Sequence, residues 1–219
     1  MGVERVRGDG VDLVLEPRGE TMNRMSVAER RQQLVGAAIT VARTRGIDAA
    51  TVRAVATQAG VSLGVVHYCF EDKSELLRAV AEQAPGEASV QVIDALPHRA
   101  TIVDALSLAV ETLWRSMREN RDARILSHEL TVAGLRDDGL TDVIQTQYAQ
   151  SRTTAELFLT RIAEVTQVEW TVPMGPLCRS MVAVVDGYSL AWLVDGDDEA
   201  AHGGLHGYAR YLAGLTRPA

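Results

Sequence analysis

Cysteine, lysine and aromatic residues are scarce in this chain of 219 residues. It contains two cysteines, one lysine, three tryptophans, five tyrosines and two phenylalanines. Two cysteines, Cys69 and Cys178, are too few for a disulfide framework or a cysteine-based zinc site. We therefore expect both thiols to be reduced and packed in the interior.

Long apolar runs are also missing. No uninterrupted apolar run reaches the roughly 18 residues of a membrane span. Residues 1–23 are polar, carry charges of both signs and lack the apolar core of a signal peptide. These features predict a cytoplasmic protein with a flexible N-terminal arm.

The sequence contains neither a glycine-rich phosphate loop nor an H-E-x-x-H zinc helix. The G-x-S-x-G pattern occurs at 60–64, but it lies between two predicted helices and not in the strand-to-helix elbow of a hydrolase. His128-Glu129 lacks a second histidine at the required offset. His202 and His206 can share a helix face, but a metal needs a third ligand, and the glycines between them argue against a rigid site. We therefore predict no enzyme, no metal and no cofactor, and keep an all-helical enzyme as the rival class.

Helical periodicity extends along nearly the whole chain. Ser26 and Glu29 match a capping box, and Gly46 is placed to end the helix that follows. Further helices are predicted from Asp72 to a break at Pro85-Gly86, after Thr101, from Asn120 to about Ala133, from Thr141 onward, over 173–194 and over 198–215. No alternating run is long enough for a sheet, so the predicted fold is all-α with about nine helices.

A helix-turn-helix is predicted over residues 51–69. Thr51 can cap a short helix that Gly60 ends, and Ser62 can cap a second helix almost at once. Two short helices joined by such a turn place the second helix in the major groove of DNA. Lys73, the only lysine, follows at the start of the next helix, where an ammonium group can contact a phosphate.

Charge is distributed unevenly along the chain. Residues 24–80 contain eight basic and five acidic side chains, a net charge of +3, whereas residues 81–219 contain 11 arginines and 19 acids, a net charge of −8. A basic segment is suited to nucleic acid, and an acidic remainder disfavours DNA bound in wrong orientations. The overall charge of −7 is therefore compatible with DNA binding.

Residues 26–80 resemble the TetR family of transcriptional regulators. The resemblance rests on the first helix, on TVRAVATQAGVSLG at 51–64, and on FEDKSELL at 70–77. VVHYCF at 65–70 is closer to the subgroup that resembles the betaine-synthesis repressor. The family usually has tyrosine where His67 stands, so either His67 or Tyr68 is open to the usual phosphate contact. A base contact and a packed side chain are further roles open to His67.

The resemblance implies an all-α homodimer that binds a pseudo-palindromic operator and responds to a small effector, most often as a repressor. Residues 24–80 would form the DNA-binding head, and residues 81–219 the ligand-binding and dimerisation body. Helices four to seven would bind the ligand, and the last two helices would form a four-helix dimer interface. The alternative within DNA-binding proteins is a body that only dimerises and senses no effector.

The predicted DNA contacts fall into two kinds. Leu63 and Val65 can touch thymine methyl groups, and Gly64 lets the backbone approach the bases. Other side chains can bond phosphates, which positions the protein without reading sequence. The full predicted set is Thr51, Arg53, Ser62, Leu63, Gly64, Val65, His67, Tyr68 and Lys73.

Residues 174–194 are apolar nearly all round, so this segment must be buried on every side. Dimerisation would supply that burial, and glycines in the last helix would let two backbones approach closely. The predicted interface consists of Val182, Val185, Ser189, Trp192, Gly203, Gly204, Gly207 and Tyr208. The alternative is that the last helix is merely irregular.

An effector site is predicted from Trp, Met and Tyr residues with a few polar groups in the body, a common composition for ligand pockets. The set is Trp114, Met117, Arg118, Glu129, Gln147, Tyr148, Phe158, Trp170, Met174, Cys178 and Met181. Trp114 and Met117 favour an apolar or aromatic ligand, whereas Glu129 would suit a cation. A packed core would use the same residue types.

Overall fold

The computed structural model describes residues 25–83 and 100–219. Within these residues there are nine α-helices, a 3₁₀ turn at Ile47–Ala49 and one two-stranded sheet. The helices are α1 (Val27–Arg45), α2 (Val52–Ala59), α3 (Leu63–Cys69), α4 (Lys73–Gln83), α5 (Ile102–Glu119), α6 (Arg121–Gly134), α7 (Asp138–Thr166), α8 (Met174–Asp195) and α9 (Asp198–Ala213). The predicted all-α fold is confirmed, whereas the predicted N-terminal arm and the Pro85-Gly86 break lie outside the described residues.

Helix ends follow the predicted capping residues. The Ser26 backbone N–H donates to Glu29 over 2.7 Å, and the Glu29 N–H donates to the Ser26 hydroxyl, which completes the capping box of α1. Thr101 caps α5 in the same reciprocal way, with Asp104 as its partner. Local sequence therefore determines where these two helices begin.

The start of α7 differs from the prediction. The helix begins at Asp138 because Asp137 occupies the N-cap and accepts a hydrogen bond from the Gly139 N–H over 2.9 Å. Thr141 lies inside the helix, where its hydroxyl donates to the Gly134 carbonyl over 2.8 Å. Asp and Thr are both good N-caps, so capping preference alone does not choose between them.

A short sheet was not predicted. Strands β1 (Val168–Trp170) and β2 (Thr216–Pro218) pair antiparallel, with Glu169 opposite Arg217, and these two side chains form an ion pair at 2.7 Å. Three residues are too few to display an alternating pattern. The pairing joins the end of α7 to the end of the chain, so it depends on the tertiary fold.

The interior is divided into two hydrophobic clusters. The first is formed by α1–α4 and continues into Leu126 and Leu130 of α6 and Leu140 and Ile144 of α7. The second is formed by α5, the later part of α7, α8 and α9. Helix α7 therefore contributes to both clusters, and the core of the N-terminal segment does not end at residue 80.

Polar contacts reinforce the junction between α1–α4 and the remaining helices. The Arg43 guanidinium donates to both carboxylate oxygens of Asp122, at 2.7 and 2.8 Å. The Ile47 backbone N–H donates to Glu129 over 2.9 Å. These bonds attach the end of α1 and the 3₁₀ turn to α6.

Helix α8 is long and apolar, and within the described residues it is the one helix that meets the length and composition of a membrane span. Only 22% of its most apolar window is buried in the protomer. The exposed side contains Ala183, Gly187, Leu190 and Val194, which recur at helical spacing. We call this stripe the outer face of α8.

Candidate DNA-binding surface and effector cavity

The turn between α2 and α3 has the geometry of a helix-turn-helix. The Thr51 hydroxyl accepts from the Ala54 N–H over 3.2 Å and so caps α2. Gly60 ends α2 with a φ of 67°, a left-handed conformation that glycine adopts without steric cost. Ser62 occupies the N-cap of α3, but its hydroxyl accepts no hydrogen bond from the described first turn of that helix. That hydroxyl is therefore available to a ligand.

None of the nine predicted DNA-contacting residues is buried. Thr51, Arg53, Ser62, Leu63, Gly64, His67 and Tyr68 are exposed, while Val65 and Lys73 are half-buried. Tyr68 is 76% exposed, an unusual position for a large aromatic ring. The opposite side of α3 packs Val66, Cys69 and the adjoining Phe70 into the core, and interior packing was predicted for Cys69. The exposed side of α3 is therefore the side available to DNA.

Arg31 of α1 holds the C-terminal end of α3 in place. Its guanidinium lies 4.2 Å from the centre of the Phe70 ring, donates to the Cys69 carbonyl and pairs with Glu75 at 2.9 Å. It thereby ties α1 to the end of α3 and the start of α4. In the sequence, Arg31 looks like any other arginine on a helix surface, and its partners lie about 40 residues away. Its role was therefore not predicted.

Several basic residues of α1–α4 are occupied by structural ion pairs. Arg43 pairs with Asp122, and Arg78 pairs with Asp142 at 2.8 Å. The Lys73 ammonium lies 3.4 Å from the Asp48 carbonyl and 3.9 Å from its carboxylate. That Lys73 contact is long and exposed, so a phosphate can replace it at little cost.

A second candidate site is a cavity of about 200 Å³ in the body, between α5, α6, α7, α8 and α9. Most of its lining is apolar. The principal lining side chains are Leu106, Ala109, Val110, Leu113, Ala155, Phe158, Met181, Val182, Val185, Leu205, Tyr208, Ala209 and Leu212. Mainly apolar walls with a few polar groups are typical of sites for small molecules.

Two charged residues, Asp186 of α8 and Arg124 of α6, also line this cavity. Tyr148 donates its hydroxyl hydrogen to Asp186 over 2.7 Å. Burial lowers the pKa of the Arg124 guanidinium to about 10, and the Asp186 charge opposes that effect. Burial, together with the bond to Asp186, raises the pKa of Tyr148 to about 12. Both residues thus remain in their usual protonation states at neutral pH.

Asp186 was not among the predicted site residues, although the sequence contains a signal for it. It is the one charged residue between Arg179 and Asp195 in an otherwise apolar helix. A charge in such a position is costly to bury unless it has partners. That cost favours a functional or paired carboxylate over a packing residue.

The structure brings only part of the predicted effector set to the cavity. Phe158 and Met181 line it, and Tyr148 reaches it through Asp186. Trp114, Met117 and Cys178 lie in the core of the body, where Trp114 meets Trp192 edge-on at 5.4 Å.

The other predicted effector residues make structural contacts elsewhere. Glu129 binds the backbone of the 3₁₀ turn, and the Gln147 side chain donates to the Ala81 carbonyl in α4. Arg118 is exposed and pairs with Asp198. Trp170 and Met174 line a separate surface depression beside the end of α7.

The predicted dimer residues divide between the interior and the surface. Ser189 is 1% exposed and Trp192 5% exposed, so both are already buried within one protomer. Val182, Val185 and Tyr208 line the cavity. All five residues therefore face the interior of one protomer.

Among the interface glycines, Gly204 is covered within the protomer. A Cβ atom there would lie 2.2 Å from the Tyr188 ring, so glycine is required for the close approach of α9 to α8. Gly203 and Gly207 have space around them and remain at the surface of α9. The surface available to a partner is therefore the outer face of α8 with the side of α9 that carries these two glycines.

The profile described as "Bacterial regulatory proteins, tetR family" matches residues 34–80. This range contains the helix-turn-helix and most of the two helices that flank it. The match agrees with the resemblance carried by the sequence of this segment.

Two curated relatives extend the comparison. The HTH-type nicotine-responsive transcriptional repressor HdnoR of Paenarthrobacter nicotinovorans is 29% identical over 179 residues, which cover 80% of this chain and 89% of that protein. The HTH-type transcriptional regulator BetI of Cronobacter sakazakii is 42% identical over 50 residues, 23% of this chain and 25% of that protein. The likeness to the BetI subgroup is thus confined to a short segment.

Solved structures of similar fold include the multidrug binding protein EbrR. Its ethidium complex is 28% identical, covers 80% of this chain and 96% of the EbrR chain, and superposes with a TM-score of 0.60. Its proflavin complex gives the same identity and a TM-score of 0.57 over 80% and 97% of the two chains. The agreement therefore extends through the body as well as the head. The profile thus identifies the helix-turn-helix segment as that of the TetR family of bacterial regulatory proteins, and the relatives and solved structures are similar to the chain over both head and body.

Proposed function

We propose that this regulator is a cytoplasmic repressor that binds a pseudo-palindromic operator as a homodimer and is released by a small aromatic cation. The cation would occupy the cavity beside Asp186. The observation that carries the proposal is the position of this carboxylate in the wall of an otherwise apolar cavity. Apolar walls would hold the aromatic part of such a ligand, and the carboxylate would face its charge.

The relatives bind or respond to molecules of the same chemistry. HdnoR is nicotine-responsive, and EbrR has been crystallised with proflavin and with ethidium. Nicotine is an amine that is protonated near neutral pH, and the two dyes are planar aromatic cations. A volume of about 200 Å³ lies below the usual range of about 300–1,000 Å³ for drug-sized sites. The cavity therefore suits a small ligand, or a larger one once the helices separate.

Helix α6 supplies a route from the cavity to the DNA-binding head. Its cavity side carries Arg124 and also His128, which lies 3.3 Å from Ser189 of α8. Its head side carries Asp122 and Glu129, which hold Arg43 and the Ile47 backbone. A cation beside Asp186 repels Arg124, so binding would shift α6 and with it the contacts to the head.

This mechanism has a defined energetic limit. An effector can release DNA only by as much as it prefers the conformation that does not bind DNA. By the same linkage, operator DNA must lower effector affinity by the same factor. The coupling can therefore be measured either as the effect of the effector on DNA affinity or as the effect of DNA on effector affinity.

The homodimer in this proposal uses the outer face of α8 together with α9. Val194 is 81% exposed and Leu190 50% exposed, which leaves apolar surface that a second copy would cover. An extra Cβ atom at Gly187 or Gly203 would have no atom of the described residues within 4 Å. Small residues on both helices allow four helices to pack closely across a two-fold axis.

The effector proposal is tested by titrating the protein with proflavin and following dye fluorescence. Asp186→Asn removes the charge but retains similar shape, and a hydrogen bond to a charged group contributes about 1.5–3 kcal/mol. We therefore expect proflavin affinity to fall by at least about 10-fold. Asp195→Asn, at the exposed end of the same helix, is the matched control and should leave affinity unchanged.

A gel-shift titration with operator DNA then separates sensing from DNA binding. Proflavin should release DNA from the wild-type protein at much lower concentrations than from the Asp186→Asn variant, while both bind operator equally well without dye. Equal proflavin affinity in the wild type and in Asp186→Asn would refute the role of this carboxylate. If no cation alters DNA affinity, the protein would be a DNA-binding dimer without this sensing function.

The enzymatic alternative has no comparable support. The matched family consists of regulatory proteins, and the sequence has no glycine-rich phosphate loop, no H-E-x-x-H helix and no G-x-S-x-G match at a strand-to-helix turn. We therefore assign the body to sensing and dimerisation.

A further inference from the structure

Two histidines and a carboxylate meet at the surface between α5 and α9. The Nε2 atoms of His202 and His206 lie 2.9 and 2.8 Å from Oε1 of Glu111. The side chains are 34%, 23% and 49% exposed in that order. All three groups therefore point to one place that solvent can reach.

The backbone holds these groups in register. His202 and His206 are one helical turn apart on α9, and their rings meet edge-on with centroids 4.6 Å apart. The intervening glycines do not interrupt the helix, and Gly204 instead lets α9 pack tightly against Tyr188. Packing between the two helices thus gives the site the rigidity that the glycines were expected to prevent.

Glu111 of α5 is the third ligand that the local sequence does not reveal. Hydrogen bonds from His206 and His202 lower the pKa of its carboxyl group, which is therefore an anion at neutral pH. It stands 91 residues before His202 in the chain, so only the packing of α5 against α9 brings it into position.

We propose that Glu111, His202 and His206 form a binding site for a divalent transition metal ion, with Zn²⁺ as its best match. Two imidazoles and one carboxylate, with a fourth position open to water, are a frequent ligand set for zinc. One ligand atom from each residue lies within 4.8 Å of the other two. Bonds of about 2.0–2.1 Å in a tetrahedral site separate the ligand atoms by roughly 3.3 Å, so small side-chain rotations suffice.

The ligand chemistry also selects among metals. Imidazole nitrogen suits Zn²⁺, Ni²⁺ and Cu²⁺, whereas Mg²⁺ and Ca²⁺ prefer sites made of oxygen atoms alone. We therefore expect binding of the first group and none of the second at comparable concentrations.

Metal at this position would connect the two helices that form one wall of the cavity. Val110 is adjacent to Glu111, and Leu205 is adjacent to His206, and both line the cavity. The metal would hold these walls together and so stabilise one spacing of α5 and α9. This site is separate from the proposed effector site and does not depend on it.

The site can be tested with Zn²⁺ alone on the full chain without a histidine tag. Calorimetry should detect one Zn²⁺ per protomer, and the midpoint of thermal unfolding should rise with Zn²⁺ concentration. His206→Asn, His202→Asn and Glu111→Gln should each lower Zn²⁺ affinity by at least about 10-fold. Glu119→Gln, an exposed position two turns along α5 from Glu111, should retain wild-type affinity.

Metal binding can also be measured on the wild-type protein, so that the test does not require the variants to fold. The Trp114 ring lies 5.7 Å from the His202 ring, so Cu²⁺ or Ni²⁺ at the site should quench tryptophan fluorescence, and Zn²⁺ should compete with them. Spin resonance of bound Cu²⁺ should show coupling to two imidazole nitrogens. Absence of stoichiometric Zn²⁺ binding, equal affinity in His206→Asn, or a Cu²⁺ spectrum without two nitrogens would each overturn the proposal.

Discussion

Substitution of Leu190 by arginine is expected to separate the proposed homodimer into monomers. Leu190 lies on the outer face of α8 and is 50% exposed in the protomer. Complete burial of a leucine side chain contributes about 1.5–3 kcal/mol, so covering the exposed half contributes about 1 kcal/mol. A two-fold axis doubles this to about 2 kcal/mol, because the residue occurs once in each protomer.

The arginine adds an electrostatic cost. Burying a charge without a partner costs several kcal/mol even after the surroundings relax. A total loss of at least about 4 kcal/mol raises the dimer dissociation constant by about 1,000-fold. Light scattering with size-exclusion chromatography should therefore show a monomer at micromolar concentrations.

Leu157→Arg provides the matched control for this prediction. Leu157 lies on α7 and is 57% exposed, but it is outside the outer face of α8. That variant should remain dimeric and bind operator normally, whereas Leu190→Arg should lose operator affinity together with its dimer. A Leu190→Arg protein that elutes as a dimer over the same concentrations would place the interface elsewhere.

Three further predictions concern the head and its junction with the body. Lys73→Ala should weaken binding to all DNA sequences alike, whereas changes at Val65 should alter the preferred sequence by about 1–3 kcal/mol at one base pair, as binding to randomised operators would reveal. Thr51→Ala should lower the free energy of unfolding in urea by about 1 kcal/mol through loss of the α2 cap, while Thr57→Ala on the same helix should have a smaller effect. Glu129→Ala should reduce the effect of the effector on DNA affinity without reducing effector binding, and Glu129→Gln should restore part of the coupling because its amide oxygen can still accept from the backbone. Unchanged coupling in the alanine variant would exclude this contact from signalling.

Local sequence was sufficient for the head of the molecule. Ser26 with Glu29, Thr51 and Gly60 act within three or four residues of themselves, through caps and a left-handed turn. Such interactions need no distant partner, so their positions can be predicted from spacing alone. The exposed and buried sides of α3 follow from the same short-range pattern.

Local signals were insufficient where two elements compete or cooperate. Asp137 and Thr141 are both suitable caps, and the fold selects Asp137 while Thr141 bonds to α6. The pairing of Val168–Trp170 with Thr216–Pro218 joins segments far apart in the chain. Neither the start of α7 nor the strand pairing can be read from a few neighbouring residues.

The orientation of α8 also depended on the tertiary structure. Because the helix is apolar nearly all round, its hydrophobic pattern does not indicate which side faces the protomer. Hydrogen-bond partners on other helices determine which side faces inward. Tyr148 donates to Asp186, and Trp192 donates to Asp198 over 2.8 Å. The interior side therefore contains the residues that the sequence suggested for the dimer.

The sequence by itself determined the helical class, the helix-turn-helix and the exposed side of α3, because these depend on caps, turns and periodicity over a few residues. Only the tertiary structure decided which apolar residues enclose a cavity, which charge faces it, and that Glu111 joins His202 and His206. The physical reason is that a cavity or a ligand cluster is lined by helices that are far apart in the sequence. Their side chains approach through packing, and periodicity along one helix contains no information about the helix opposite.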